Sequence, residues 1–403
     1  MLGFRHINQT PYVYVEKVHE DTVLVDFVES GAFGSFLELI SPVSNGKTDG
    51  DPSMVLINNY TQKKVQEGVT YDLNGTTIQK ILQDNRITQF QQNSLIIGYQ
   101  IDLKEEDDVL FGKSKSFSDI ERFEFNIEQY PNHTIPEVEI KGDIKVLVRN
   151  VGQGSWNEII INNRTELIFD IGTHYLTKQT EIHEMLKDKE DIFLKDKPGV
   201  IISHWDIDHY HYLIGLSNEA LKSIRFLCAR NYLPTMTSRM IYFKIERLIG
   251  HMSMYPIEPF PKPDKSPGYA KLQKINPNAQ NIIYYNSTLH RNRNQNAICL
   301  AIRKVNSSIV LPADTHYSQI SNCILPDLGY ENDHYLVVPH HGGNAGKFVY
   351  NLKKIKAPQS AIVSVGKNSY GHPISEHLQH LRDIGFKILQ TNSLKKDIEV
   401  VLN

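Results

Sequence analysis

Between Val200 and His209 the chain reads Val200-Ile201-Ile202-Ser203-His204-Trp205-Asp206-Ile207-Asp208-His209, an apolar run followed by four metal-competent side chains within six residues. Imidazoles and carboxylates packed that densely repel or titrate one another unless a cation sits among them. The ordinary alternative is a solvated polar loop, which fits poorly directly behind a run that looks like a buried strand. Divalent-metal chemistry is the first expectation.

Three other apolar runs end in the same residue types. Leu167-Ile168-Phe169 runs into Asp170, Ile309-Val310-Leu311-Pro312-Ala313 into Asp314, and Leu336-Val337-Val338-Pro339 into His340 and His341. A single aspartate after a strand is as often a helix cap as a ligand. The set carries more weight than any member, because open α/β sheets place their chemistry at strand ends.

Those residues need elements to hold them. From Ile144 onward, apolar strands alternate with helical stretches: Lys145 to Val148, Glu158 to Ile161, Leu167 to Asp170, Gly199 to Ile202, Ile309 to Pro312, Tyr335 to Pro339 and Ala361 to Val365. This is α/β texture. The first third differs. Tyr12, Tyr14 and Val13, Val15, then Val23, Val25 and Phe27, read as a hairpin broken at His19 to Thr22, and Asn74-Gly75 reads as a tight turn. A short helix over Thr77 to Gln83 and a strand over Leu95 to Leu103 complete a β-rich region with little helix. The polar segment Gln129 to Pro136 is the expected boundary, giving a β-rich domain over 1–130 and a second domain over 141–403. Pro256 to Pro267 carries five prolines in twelve residues and is expected to be a surface loop overhanging the site.

Composition narrows the partners. Among 403 residues, 43 Lys and Arg face 46 Asp and Glu, for a formal charge of -3, so no global basic excess calls for a polyanion or an anionic membrane. The three cysteines, Cys228, Cys299 and Cys323, are too few and too spread for a disulfide framework or a cysteine zinc site. No apolar run approaches the roughly 20 residues of a membrane span. Arg5, Asn8, Gln9 and Glu16 interrupt the start, where a signal peptide would need an apolar core. A cytoplasmic protein with no membrane partner is expected.

Asp170, the His204 to His209 cluster, Asp314 and His340, in this order and context, resemble the metallo-β-lactamase superfamily. The nearest likeness is the metallohydrolase domain of ComEC-type DNA-uptake proteins, without their membrane channel. Val151-Gly152-Gln153-Gly154, Asp206 in place of the usual second histidine, Val338-Pro339-His340-His341-Gly342 and Tyr370-Gly371-His372-Pro373 carry that likeness. The match covers about Lys141 to Asn403. It implies a four-layer αββα sandwich and two divalent metal ions, zinc or manganese. His204 and Asp206 would hold the first ion, and Asp208 and His209 the second. Asp314 would bridge them, His340 would complete the second position, and Asp170 would support or ligate from behind. Two such ions about 3.5–4 Å apart hold a hydroxide nucleophile and clamp the reacting oxygens. Asp208 or His372 would serve proton transfer at the leaving group.

The pattern also departs from that family. Asn150 and Ser155 stand where aspartates usually flank the Gly-Gln-Gly, and the third-motif ligand is either Asn296 or His290. His341 is either a ligand or a neighbour that orients Gly342 and Gly343. Trp205 either covers the site or is core. Lys367 is a candidate phosphate contact, and Arg291, Arg293, Arg303 and Lys304 form a modest basic group that reads as a solvated face. The leading expectation is a metal-dependent phosphodiesterase or nuclease. A small ester, lactone or thioester substrate is the alternative, and a non-catalytic metal protein that binds a partner through its N-terminal domain is the third reading.

Overall fold

The structure, a computed structural model, describes residues 11–40, 54–62, 65–89, 97–105, 107, 110–115, 135–138, 140–177, 179–262, 269–290, 292–346, 350–366, 368 and 371–403. It is a mixed α/β chain with three seven-stranded sheets. The chain forms two compact units. One is Met1–Glu124 with Lys178–Thr180 and Tyr232–Lys244, and the other is Phe125–Thr177, Glu181–Asn231 and Ile245–Asn403. The first unit thus takes a stretch of chain that lies far beyond residue 130.

In the first unit the hairpin forms as expected, with Tyr12–His19 antiparallel to Thr22–Phe27. These strands sit at the middle of a sheet ordered Ile87–Gln89, Ile97–Asp102, Met54–Asn58, Thr22–Phe27, Tyr12–His19, Thr70–Leu73, Phe111–Lys115. Asn74-Gly75, expected to be a tight turn, is instead the start of a helix. Asn74 caps the helix Gly75–Gln83, its side chain accepting from the backbone N–H of Thr76 and Thr77 at 3.0 and 3.1 Å. The same asparagine chemistry that favours turns also satisfies the orphan donors of a first helical turn. A second helix, Ser30–Leu39, also departs from the expected helix-poor reading. Gly31, Gly34 and Ser35 mask it in sequence, and burial holds it: Phe33 and Phe36 each pack on Phe27 with ring centroids 5.1 Å apart.

In the second unit, one sheet is ordered Met254–Ile257, Phe226–Arg230, Gly199–Ile202, Arg164–Ile171, Trp156–Ile161, Ile144–Val148, Ile398–Leu402. The other is Leu272–Lys274, Ile282–Ser287, Cys299–Arg303, Ser307–Leu311, Asp333–Val337, Ala357–Val363, Lys387–Gln390. Alternate residues on the second sheet face opposite cores. Ile282, Tyr284, Leu300, Ile302, Ile309 and Leu311 join Val146, Leu167, Phe169 and Ile201 of the first sheet in one apolar cluster. Ile283, Tyr285, Ala301 and Val310 pack on the far side against Ile320, Ile324, Leu378 and Leu381 from helical segments. Strands buried on both faces read as continuous apolar runs, which is why several are visible in sequence. The proline-rich stretch is only partly loop: Pro256 lies in the edge strand Met254–Ile257, where a missing N–H is tolerated. Pro263 and Pro267, most of Gln129 to Pro136, Arg291, Lys367 and Tyr370 lie outside the described residues. Among the described residues no helix is long and apolar enough to cross a membrane.

The strand directions set up the site. Arg164–Ile171, Gly199–Ile202, Phe226–Arg230 and Met254–Ile257 run parallel, as do Ser307–Leu311, Asp333–Val337, Ala357–Val363 and Lys387–Gln390. Asp170, His204, Asp314 and His340 all fall at or just past the C-terminal ends of these parallel strands.

One buried carboxyl ties the Tyr232–Lys244 segment into the first unit. Asp26 accepts from the backbone N–H of Phe27 at 2.7 Å and of Thr237 at 3.1 Å. Burial raises its pKa to about 6, against the opposing hydrogen bonds from Thr237 and Thr235. A carboxyl whose folded pKa is raised contributes its full stability below the unfolded value and loses it as pH rises through the folded one. Relative to Asp26→Asn, the wild type should therefore lose stability on the order of 3 kcal/mol between pH 4 and pH 7. Urea denaturation of both proteins across that window checks this, and parallel pH profiles would contradict it.

Candidate metal centre

Asp170 is the hub behind the site. It sits at a register break between Phe169 and Ile171 with φ of 57°, so a bulge aims its side chain towards the neighbouring strand end. Its Oδ1 accepts from the Ser203 backbone N–H at 2.7 Å, and its Oδ2 accepts from Ser203 Oγ at 2.9 Å and from His209 Nδ1 at 2.8 Å. Those contacts use both oxygens. Asp170 supports the site from behind and belongs to neither group of converging ligand atoms. Gly172 is present because nothing larger fits: a Cβ there would overlap the Asp208 carbonyl oxygen. Ser155 closes the same corner, donating its backbone N–H to Asp208 O and accepting from Gly172 N.

The hydrogen bonds assign the imidazole tautomers. Ser203 Oγ donates to Asp170, so at 2.9 Å it accepts from His204 Nδ1. His209 Nδ1 donates to Asp170. His341 Nδ1 lies 2.8 Å from the Ser364 carbonyl, which can only accept. Three rings therefore have Nδ1 committed as a donor, the arrangement that fixes metal-binding histidines and leaves Nε2 to ligate.

Those Nε2 atoms converge. Among the described residues, the ligand atoms of His204, His209 and Asp314 lie within 4.8 Å of one another, as do those of Asp208, His209 and His341. His209 Nε2 is 3.2 Å from Asp314 Oδ1, and His341 Nε2 is 3.6 Å from Asp208 Oδ2. Nε2 of His204 and His341 and Oδ2 of Asp314 are buried without a hydrogen-bond partner, and Nε2 of His209 faces the Asp314 carboxylate. Orphaned polar atoms are costly in a protein interior, and these lie in two close-set groups that share His209, an arrangement that fits a cation. These buried His/Asp clusters could hold a metal ion.

The electrostatics agree. Burial alone would depress the His209 pKa, but the Asp314 and Asp170 carboxylates hold it well above the usual imidazole range. Burial would raise Asp314, yet His209 and then His340 keep it well below the usual carboxylate range. For His341 burial dominates and lowers the pKa. The His209 and Asp314 shifts favour the protonation states that pair opposite charges, and a divalent cation would take over that role from the His209 proton.

The segment after Asp333–Val337 is strained into place. His340 and His341 have φ of 52° and 54°, and Ala313, beside Asp314, has φ of 51°. Left-handed backbone on consecutive non-glycine residues is held only where the surroundings insist on it, and such residues cluster at functional sites. This turn brings both histidines to the site on different faces. His340 Nε2 stands 3.7 Å from Asp314 Oδ2 at the more open edge, whereas His341 joins the buried group with Asp208. His372 lies beyond His340, the two rings nearly perpendicular with centroids 5.3 Å apart.

Other expected residues take different roles. Asn296 holds the backbone of His290 at both ends of its amide, accepting from His290 N at 2.8 Å and donating to His290 O at 2.7 Å, and His290 belongs to neither group of converging ligand atoms. Trp205 is core: it is buried, donates from Nε1 to the Arg230 carbonyl at 3.0 Å and packs edge-on to Tyr210. Asn150 donates its backbone N–H to Asp397. Asp206 lies outside both ligand groups, and its Oδ2 pairs with Arg293 Nη2 at 2.9 Å. Arg293 is thus part of the site rather than a solvated face. Its only sequence signal is its place just before the third-motif position.

If Asp170 orients His209, then Asp170→Asn should weaken metal affinity by about 10–100-fold, the usual cost of losing such a support. Competition against a chromophoric chelator measures it, and unchanged affinity in a folded variant would rule out that role for Asp170.

No protein-family model matches the chain, and no curated protein matches it.

Proposed function

We propose that this chain is a metal-dependent hydrolase of the metallo-β-lactamase type whose substrate is a phosphodiester. The observation that carries the proposal is the pair of buried ligand groups, His204 with His209 and Asp314 and Asp208 with His209 and His341, in which each ring is tied back through Nδ1 and turns Nε2 to the group. The fold supports it. Two sheets share one apolar cluster, helical segments cover the outer face of one of them, and the ligand-bearing residues come after the parallel strands, as in an αββα sandwich.

His204, His209, His341, Asp208 and Asp314 would hold the metal, which is expected to be zinc or manganese. When bound, such an ion supplies a water that ionises near neutral pH and positive charge against the charge that develops at phosphorus. The chain's own residues do the rest. Asp170 and Ser203 fix His209 and His204 before substrate arrives, so neither ring has to reorganise during the reaction. Asp208, on the first turn of the helix Ile207–Gly215, accepts and orients a proton on the attacking side. His372 stands at the open edge next to His340, where its ring would give a proton to the leaving oxygen. A phosphodiester is favoured over a neutral ester because the site sets four histidines and Arg293 around its carboxylates, an array suited to an anion once a cation is bound.

The test uses bis-p-nitrophenyl phosphate and single-stranded DNA with metal-reconstituted protein. Asp208→Ala and His209→Ala should each lose bound metal and nearly all turnover while keeping the wild-type circular dichroism. His372→Ala should keep the metal and lose roughly 10²–10⁴-fold in kcat, as expected of a general acid. Turnover of p-nitrophenyl esters or lactones with none of phosphodiesters would move the reading to a carbonyl substrate. Full activity of Asp208→Ala would show that this cluster is not the active site.

A further inference from the structure

The two ligand groups are not equivalent. Beside the group of His204, His209 and Asp314 stands Asp206, which the family resemblance would place with His204 on a first ion; it lies outside both groups, but its Oδ2 is 3.4 Å from His204 Nε2. That same oxygen accepts Arg293 Nη2 at 2.9 Å, in a pair whose side chains are 3% and 11% exposed. A guanidinium cannot lose its proton at any accessible pH, so it is a permanent positive charge against the atom that would face a first metal ion. The third ligand that position would need is also committed elsewhere, because both polar atoms of the Asn296 amide are bonded to the His290 backbone. Arg293 and Asn296 are the two ends of one short helical turn, Arg293–Asn296, with Asn292 capping it through Asn294 N. One local structure therefore withdraws the amide and delivers the arginine. On the other side, Asp208, His209 and His341 are close-set, and His341 Nε2 has no hydrogen-bond partner.

We infer that this centre holds one tightly bound metal ion, at the corner of His209, Asp208 and His341 beside Asp314, and that the Arg293 guanidinium is the built-in second cation. The inference deepens the metal-centre reading on which the proposed function rests, and it specifies the substrate side as well. A planar, fixed guanidinium next to the ion suits one non-bridging oxygen of a phosphate group, which in a two-ion site would lie on the first metal. Arg293 is thus a positioning and charge-compensating residue whose effect is visible without substrate.

The experiment is a metal titration of chelator-stripped full-length protein with manganese and, separately, zinc, followed by native mass spectrometry and by the melting temperature at each equivalent. Ligand binding to the folded state raises the melting temperature until the site is full. Wild type should take up about one ion per chain, with no further rise after the first equivalent. Arg293→Gln removes the competing charge and should take up a second ion. Arg293→Lys keeps the charge and should stay at one, and Arg293→Gln with Asp206→Asn should return to one. If Arg293→Gln is destabilised when stripped, its melting temperature should keep rising through the second equivalent. Two ions of similar affinity in the wild type, or a single ion in Arg293→Gln with no further rise, would overturn the inference. A protein that binds one ion and hydrolyses no phosphodiester would instead sink the proposed function and leave this result standing.

Discussion

Burying charge is the constraint around which the rest of this protein is arranged. Asp170, Asp206, Asp208 and Asp314 lie with His204, His209 and His341 where water scarcely reaches, and all are under 5% exposed. Removing that many ionisable groups from water costs far more than any apolar cluster offsets unless each charge meets its opposite. The structure meets the demand in three ways: Asp170 is paired with His209 and hydrogen-bonded by Ser203, Asp206 is paired with Arg293, and the remaining atoms face one another in clusters that could hold a cation. The strained backbone at Asp170, Ala313, His340 and His341 arises from the same demand. Strand ends on two sheets must deliver side chains to one point, and ordinary strand geometry does not aim them there.

The fold sustains this by being rigid where the buried charges lie. Sheets buried on both faces have little freedom to shift, and the close approach of Gly172 to the Asp208 carbonyl fixes the turn that carries Asp208 and His209 relative to the strand that carries Asp170. A side chain at Gly172 would push those two segments apart. Positioning at this site therefore rests on backbone packing and on hydrogen bonds to Nδ1 atoms, and only secondarily on the ligands themselves.

Sequence and structure differ in instructive places. The His204 to Asp208 cluster is legible because strand burial and ligand spacing are both local properties. The roles within the set are less so. His340 and His341 are adjacent, and only the left-handed turn separates their directions. Asp170 reads in sequence as either a support or a ligand, and its hydrogen bonds to Ser203 and His209 are those of a support. Arg293 is invisible as a site residue because an arginine among asparagines is usually solvated, and its carboxylate partner, Asp206, comes from a strand end far away in the chain. The same holds for the elements. The helix Ser30–Leu39 is written in glycines and serine that speak against helix, and tertiary packing of Phe33 and Phe36 overrides them. The Asn74-Gly75 pair carries turn chemistry, but whether it serves a hairpin or a helix start depends on the residues after it.

The central claim is that a cation belongs among Asp208, His209, His341 and Asp314. Anomalous diffraction from crystals of metal-loaded protein, recorded on both sides of the zinc or manganese absorption edge, tests it most directly. The account predicts an edge-dependent peak bounded by the Nε2 atoms of His209 and His341 and the carboxylates of Asp208 and Asp314. Peaks confined to the protein surface, with those four side chains well ordered around no scatterer, would contradict it.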